Sequence, residues 1–337
     1  MASFSQFGND LYTGARSLNI VGRRKLWYLI AGGMILIALV GPFLLRGGFV
    51  FGIEFTGGSE FVVSQTTSQD ETKATDAVAS VAPGAVPKIS TIGSDGVRVQ
   101  TDQLTEVEAA AVRDALATAY AVPTTEVAAS FIGPTWGQDI TAQALRALVV
   151  FLVLAGVVMA VYFRTWKMSV AAMVALLHDL VITAGFYGIT GFEITPAAVI
   201  GFLTILGYSL YDTVVVFDKI RENTNFDGSG SSRTFGESVN LAVNQTLVRS
   251  INTSVVAALP VASILFIGAF VLGAGTLRDI SLALLIGILV GTYSTIFIAS
   301  PLYAQLRNGE DAIRKHDQKA LAAREKATAS AASGVTA

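Results

Sequence analysis

The sequence predicts an α-helical polytopic membrane protein: six transmembrane helices, with one small α+β extracytoplasmic domain of ferredoxin-like βαββαβ order between the first and second helices. Three observations lead there. The 337 residues are 52% hydrophobic and 14% charged, with a mean hydropathy of +0.58, whereas an average soluble domain carries about 25% charged residues. The apolar residues gather in runs of about 20, the length that crosses a ~30 Å hydrocarbon core. One long stretch, 47–143, breaks that pattern with twelve acids, four bases and the alternation of a soluble α+β fold.

Composition also excludes function classes. A net charge of -2 excludes an overall basic nucleic-acid binder, and without cysteine there are no disulfides, thiolate metal sites or cysteine nucleophiles. Two histidines, His178 and His316, leave little for a zinc site, and neither HExxH nor Walker-type spacing occurs. Neither an enzyme nor a cofactor is expected, only protons as a coupling ion.

Residues 1–25 form a polar segment ending in Arg23, Arg24 and Lys25, and the apolar run 26–46 reads as an uncleaved signal anchor whose basic flank faces the cytoplasm. Within 47–143, strands are expected over Ser59–Gln65, Val86–Ile92, Gly96–Thr101 and Glu126–Ile132. Helices are expected over Asp70–Val81 and Leu104–Ala119, with Thr105 as an N-cap and a turn at Ser94-Asp95-Gly96. That order is the ferredoxin-like pattern.

The block 144–306 carries spans two to six. Span two is Ala144–Phe163, followed by a basic loop with Arg164 and Lys167; span three is Met168–Thr190. Ile194–Asn223 is the fourth. A flexible loop, Asn223–Arg233, leads to an interfacial helix, Thr234–Thr246, then to span five near Leu247–Leu272. A hairpin at Gly273–Asp279 precedes span six, Ile280–Leu306, and 307–337 is a cytoplasmic tail. Both termini are then cytoplasmic.

The fourth span carries the chemistry. At about 1.5 Å per residue, Asp212 falls within the bilayer, about 9 Å from Asp218 at the cytoplasmic end. An ionised carboxylate there costs at least ~2.5 kcal/mol, so it needs a partner, a water path or a proton. Thr204, Tyr208 and Asp212 at i, i+4, i+8, with Ser209 one turn before Asp212, mark a polar stripe expected to face away from lipid. Arg249, at the start of span five, is long enough to reach Asp212, or to snorkel to the membrane surface. His178 and Asp179 form a secondary polar site in span three, read either as a titrating pair or as a local tie between helices. Burial favours a neutral carboxyl and a nearby guanidinium favours the carboxylate, so an arginine that approaches and retreats can bind and release a proton. A structural carboxylate bonded to a neighbouring helix is the plain alternative, and an Asp179/Asp212 hydrolytic pair lacks protease-like spacing.

Four stretches carry a family resemblance: FGIEFTGG (Phe51–Gly58), LLHDLVIT (Leu176–Thr183), GYSLYDTVVVFDKIREN (Gly207–Asn223) and LVRSINTS (Leu247–Ser254). They closely resemble the SecF family of bacterial protein-export subunits, itself similar to half of a resistance-nodulation-division (RND) transporter. The likeness covers roughly residues 20–307. One departure is Glu54, where the family commonly has Asp. The resemblance implies a subunit in the cytoplasmic membrane that pairs with SecD, docks on SecYEG with translocating preprotein and a YajC-like accessory subunit, and uses the proton-motive force to promote export. It implies Asp212 and Arg249 as proton-path residues. Gly57 and Gly58 are read as a chain reversal opening the outer domain. A stand-alone RND-like exporter of small solutes is the rival reading.

Overall fold

The computed structural model describes residues 4–93, 95–225, 233–271 and 274–334. Ser94 of the expected turn, the middle of the expected flexible loop, Leu272 and Gly273 lie outside the described residues.

Among these residues six helical segments are long and apolar enough to cross a membrane: Arg24–Arg46, Thr135–Phe163, Trp166–Thr190, Pro196–Asn223, Phe235–Phe266 and Gly275–Arg307. In chain order the helices are α1 (Phe4–Thr13), α2 (Arg24–Arg46), α3 (Ile53–Thr56), α4 (Glu71–Val81), α5 (Glu106–Tyr120), α6 (Pro134–Phe163), α7 (Trp166–Thr190), α8 (Pro196–Asn223), α9 (Phe235–Phe266), α10 (Gly275–Ser294), α11 (Ser300–Arg307) and α12 (Asp311–Gly334). The strands are β1 (Gly58–Val63), β2 (Lys88–Ile92), β3 (Gly96–Thr101) and β4 (Val127–Ile132).

The outer domain has the predicted βαββαβ order, with an antiparallel sheet ordered β2-β3-β1-β4. Its core follows from strand alternation and helix periodicity: Phe61, Val63, Val97 and Val99 from the sheet meet Val78, Val112 and Leu116 from α4 and α5, all fully buried. Thr105 caps α5, as the sequence leads one to expect, and the structure completes a reciprocal capping box with Glu108. Gly57 and Gly58 make the reversal into β1, with φ of 76° and 143°; a Cβ on Gly58 would lie 2.5 Å from the Thr101 carbonyl oxygen. Only glycine fits there.

Several elements differ from expectation. The helix α6 starts at Pro134, within the stretch 47–143 assigned to the outer domain, because proline is well placed in a first helical turn and Gly137 lets α6 touch α3, where a Cβ would meet the Phe55 carbonyl at 2.5 Å. The expected interfacial helix and span five are one continuous helix, α9, since no breaker separates Thr246 from Leu247. The N-terminal segment is docked: Leu11 of α1 is fully buried, and Asn240 and Asn244 of α9 accept from the Ile20 and Leu18 amides at 2.8 Å. The sixth span is interrupted by a π-helical turn at Thr295–Ala299.

The helices α8 and α10 form a close pairing along much of their length. Glycines set it: a Cβ on Gly287 would lie 2.2 Å from Ile205, one on Gly201 would lie 2.7 Å from Ala283, and one on Gly291 would lie 3.1 Å from Ser209.

Candidate functional site

That close pairing decides which side of α8 turns inward. Phe202, Ile205, Leu206, Ser209, Asp212, Thr213 and Val216 are buried, whereas Thr204 is exposed and bonds only its own helix, at the Ile200 carbonyl. Of the predicted polar stripe, Ser209 and Asp212 turn inward, Tyr208 is half-buried and Thr204 is left outside. The i, i+4, i+8 spacing is right for one side of a helix, but the glycines of α10 select the neighbouring side.

Asp212 is 6% exposed, and the Ser250 hydroxyl lies 2.8 Å from Oδ1 and 2.9 Å from Oδ2. Ser250 points inward because the buried positions of α9 run Val243, Leu247, Ser250, Ser254, at helical spacing. Its neighbour Arg249 is turned about 100° around the helix and is exposed. Among the described residues no ion pair joins Arg249 to Asp212. The structure brings Asp212 together with Ser250 rather than with the predicted arginine.

His178 and Asp179 are buried in α7, with Nδ1 3.3 Å from Oδ1. Ser209 of α8 donates to Asp179 Oδ2 at 2.6 Å, while Thr183 donates to the Asp179 backbone carbonyl at 2.7 Å. The His178 Nε2 atom has no hydrogen-bond partner among the described residues. Asp179 and Asp212 thus rest on different hydroxyls, Ser209 and Ser250, and Ser209 lies one turn before Asp212 on the buried face of α8. Two facing carboxylates sharing a proton are not formed. The seam continues at Thr213 and Thr295, whose hydroxyls are 2.9 Å apart beside the π-helical turn.

Sequence reasoning missed a second polar cluster at the outer ends of the helices. Asp279 is 4% exposed; its carboxylate accepts from the Thr195 hydroxyl at 2.9 Å and from Arg278 at 3.1 Å. The adjacent Arg278-Asp279 was legible only as a polar hairpin. Nearby, Arg98 of β3 lies 3.5 Å from Glu60 and 3.9 Å from Glu193, and Gln100 donates to both acids. This junction joins the outer sheet to the loop between α7 and α8. Burial there pushes the Glu54 carboxyl above its ordinary range, with Glu60 and Glu193 adding to the effect.

The profile of the family described as "Protein export membrane protein SecD/SecF, C-terminal" matches residues 112–309, which include α6 to α11 and every residue of the buried seam. The chain belongs to the SecD/SecF family. It is 41% identical over 324 residues to the protein translocase subunit SecF of Streptomyces coelicolor, covering 96% of this chain and 86% of the relative. It is 42% identical to SecF of Mycobacterium tuberculosis, covering 94% and 73% of the two chains. The crystal structure of Thermus thermophilus SecDF, a translocon-associated membrane protein, superposes with a TM-score of 0.74 at 30% identity, over 87% of this chain and 39% of that longer one. This places Asp212, Arg249, His178 and Asp179 in the shared membrane region of the family.

Proposed function

We propose that this SecF-type chain is a non-enzymatic auxiliary subunit of the Sec protein-translocation machinery. It pairs with SecD in the cytoplasmic membrane, both termini cytoplasmic, and uses the proton-motive force to promote preprotein export. SecYEG, the translocating preprotein and a YajC-like accessory subunit complete the assembly, and protons are the only coupling species. The SecF and SecDF names of the relatives support the translocase reading and give none to a stand-alone exporter.

The observation that carries the proton role is the pairing of Asp212 with one serine. A hydroxyl has one proton to give, so Ser250 cannot fully satisfy both oxygens of a carboxylate. A protonated carboxyl can donate to Ser250 while Ser250 donates back, which gives two bonds across the same contacts. The hydroxyl therefore bonds the carboxyl in either charge state and the protonated form more completely, which favours a site that takes up a proton. The exposed Arg249 on a membrane-crossing helix supports a partner at this face, because lipid would leave its charge unsatisfied. The share of the SecDF chain left uncovered supports a separate SecD-type partner.

The test is gradient-dependent completion of preprotein translocation in vesicles containing the partner, at equal complex abundance. Asp212→Asn keeps size and hydrogen bonding but cannot carry the proton. Loss of the gradient-dependent increment is expected; a full increment in the variant rejects the proton role of Asp212.

A further inference from the structure

A cavity of about 890 Å³ opens at the amino end of α2, between the α1–α2 linker, the start of α9 and α12. Five cations line it, Arg23, Arg24, Lys25, Arg233 and Arg324, against one acid, Glu237. That acid is already committed: Arg324 donates to its Oε1 at 2.9 Å, and the Thr234 amide donates to its Oε2 at 2.8 Å. Among the described residues Arg23, Arg24 and Lys25 make no ion pair or side-chain hydrogen bond. Basic residues flanking a span are common as orientation signals, but these converge with Arg233, more than 200 positions later in the sequence, on one concave site.

We infer that this cavity is a binding site for the phosphodiester headgroup of an anionic phospholipid. Three unpaired cations in a concave site select a phosphate oxyanion by charge and by the fork geometry of arginine. The surroundings favour lipid over free phosphate. Leu26 lines the cavity and is 47% exposed, and Leu29, one turn further along α2, is 74% exposed. A headgroup held in the cavity therefore has an apolar helix face beside it for its acyl chains, and basic sites at the cytoplasmic ends of spans suit such headgroups.

The test uses the full chain purified in neutral detergent and exposed to equal amounts of phosphatidylglycerol and phosphatidylcholine, with retained lipid measured by native mass spectrometry. Selective retention of phosphatidylglycerol is expected, weakened about fivefold for each cation removed, in Arg23→Gln with Arg24→Gln. Arg24→Gln alone keeps more of the basic flank and covers the case where the double variant does not insert. Arg314→Gln, a basic change outside the cavity, is expected to retain lipid like wild type. Equal retention of the two lipids, or unchanged selectivity in both cavity variants, overturns the inference. So does displacement of the lipid by millimolar inorganic phosphate, which would make free phosphate the occupant.

Discussion

The hydroxyl of Ser250 sits within 2.9 Å of both carboxylate oxygens of Asp212, where the sequence led one to look for the guanidinium of Arg249. The direct hydrogen-bond partner is thus a neutral hydroxyl rather than a permanent charge. A fixed ion pair would hold Asp212 ionised; a hydroxyl accepts either protonation state.

Ser250→Ala should keep the fold and lower the gradient-dependent export increment. Removing the hydroxyl leaves a buried carboxyl unpartnered, at a cost of about 1–3 kcal/mol. The pH dependence of translocation should move as well, and Ser250→Thr should restore it in part. An unchanged pH profile in Ser250→Ala would reject Ser250 as the proton-positioning residue.

Gly185→Ala should separate α2 from α7. Its Cβ would fall 2.3 Å from the Ala38 Cβ and 2.7 Å from the Ala38 carbonyl oxygen, and backbone cannot yield as a side-chain end can. A loss of about 1–3 kcal/mol is expected from overpacking. Gly207→Ala is the control, since beyond the backbone of its own helix nothing lies within 4 Å of its added Cβ. Thermal unfolding in detergent compares them, and equal midpoints would contradict the packing.

Arg98→Gln should loosen the outer domain from the helices. It removes the cation between Glu60 and Glu193, leaving two acids close together with Glu54. Faster amide exchange in β3 and at 192–194 is the expected signature, with the β1–β4 ladder unchanged. Unaltered exchange at both places would show that the junction is held by other contacts.

Glu310 links α11 and α12 to α7, and Arg307 first of all, then Lys167, holds its carboxyl below the usual range. A depressed value in the folded state means a contribution fully present above the unfolded value of ~4.3 and lost as pH falls through the folded one. Being partly exposed, the cluster contributes under about 1 kcal/mol. Glu310→Gln should lower the unfolding midpoint slightly at neutral pH and converge with wild type in strong acid. A gap that persists there would assign the effect to packing.

Much of the architecture was legible beforehand. The six spans follow from length and apolarity, and the outer domain's order follows from alternation and caps such as Thr105. The docked α1 was not, because its fully buried Leu11 gains meaning only beside Asn240 and Asn244 of α9. Asp279 was missed for a similar reason: its partner Thr195 is 84 positions away.

The sequence by itself determined the membrane class, the family and the presence of a carboxylate, Asp212, within an apolar span that has to find a partner or a proton. Only the tertiary structure decided what Asp212 touches. The spacing on α8 admits more than one inward face and α9 offers both Arg249 and Ser250. The choice was made by small residues on α10: Gly287 and Gly291 draw that helix against Ile205 and Ser209, rotating Asp212 toward Ser250 and leaving Thr204 and Arg249 outside. Close helix contact is a property of two surfaces together, and no single helix encodes it.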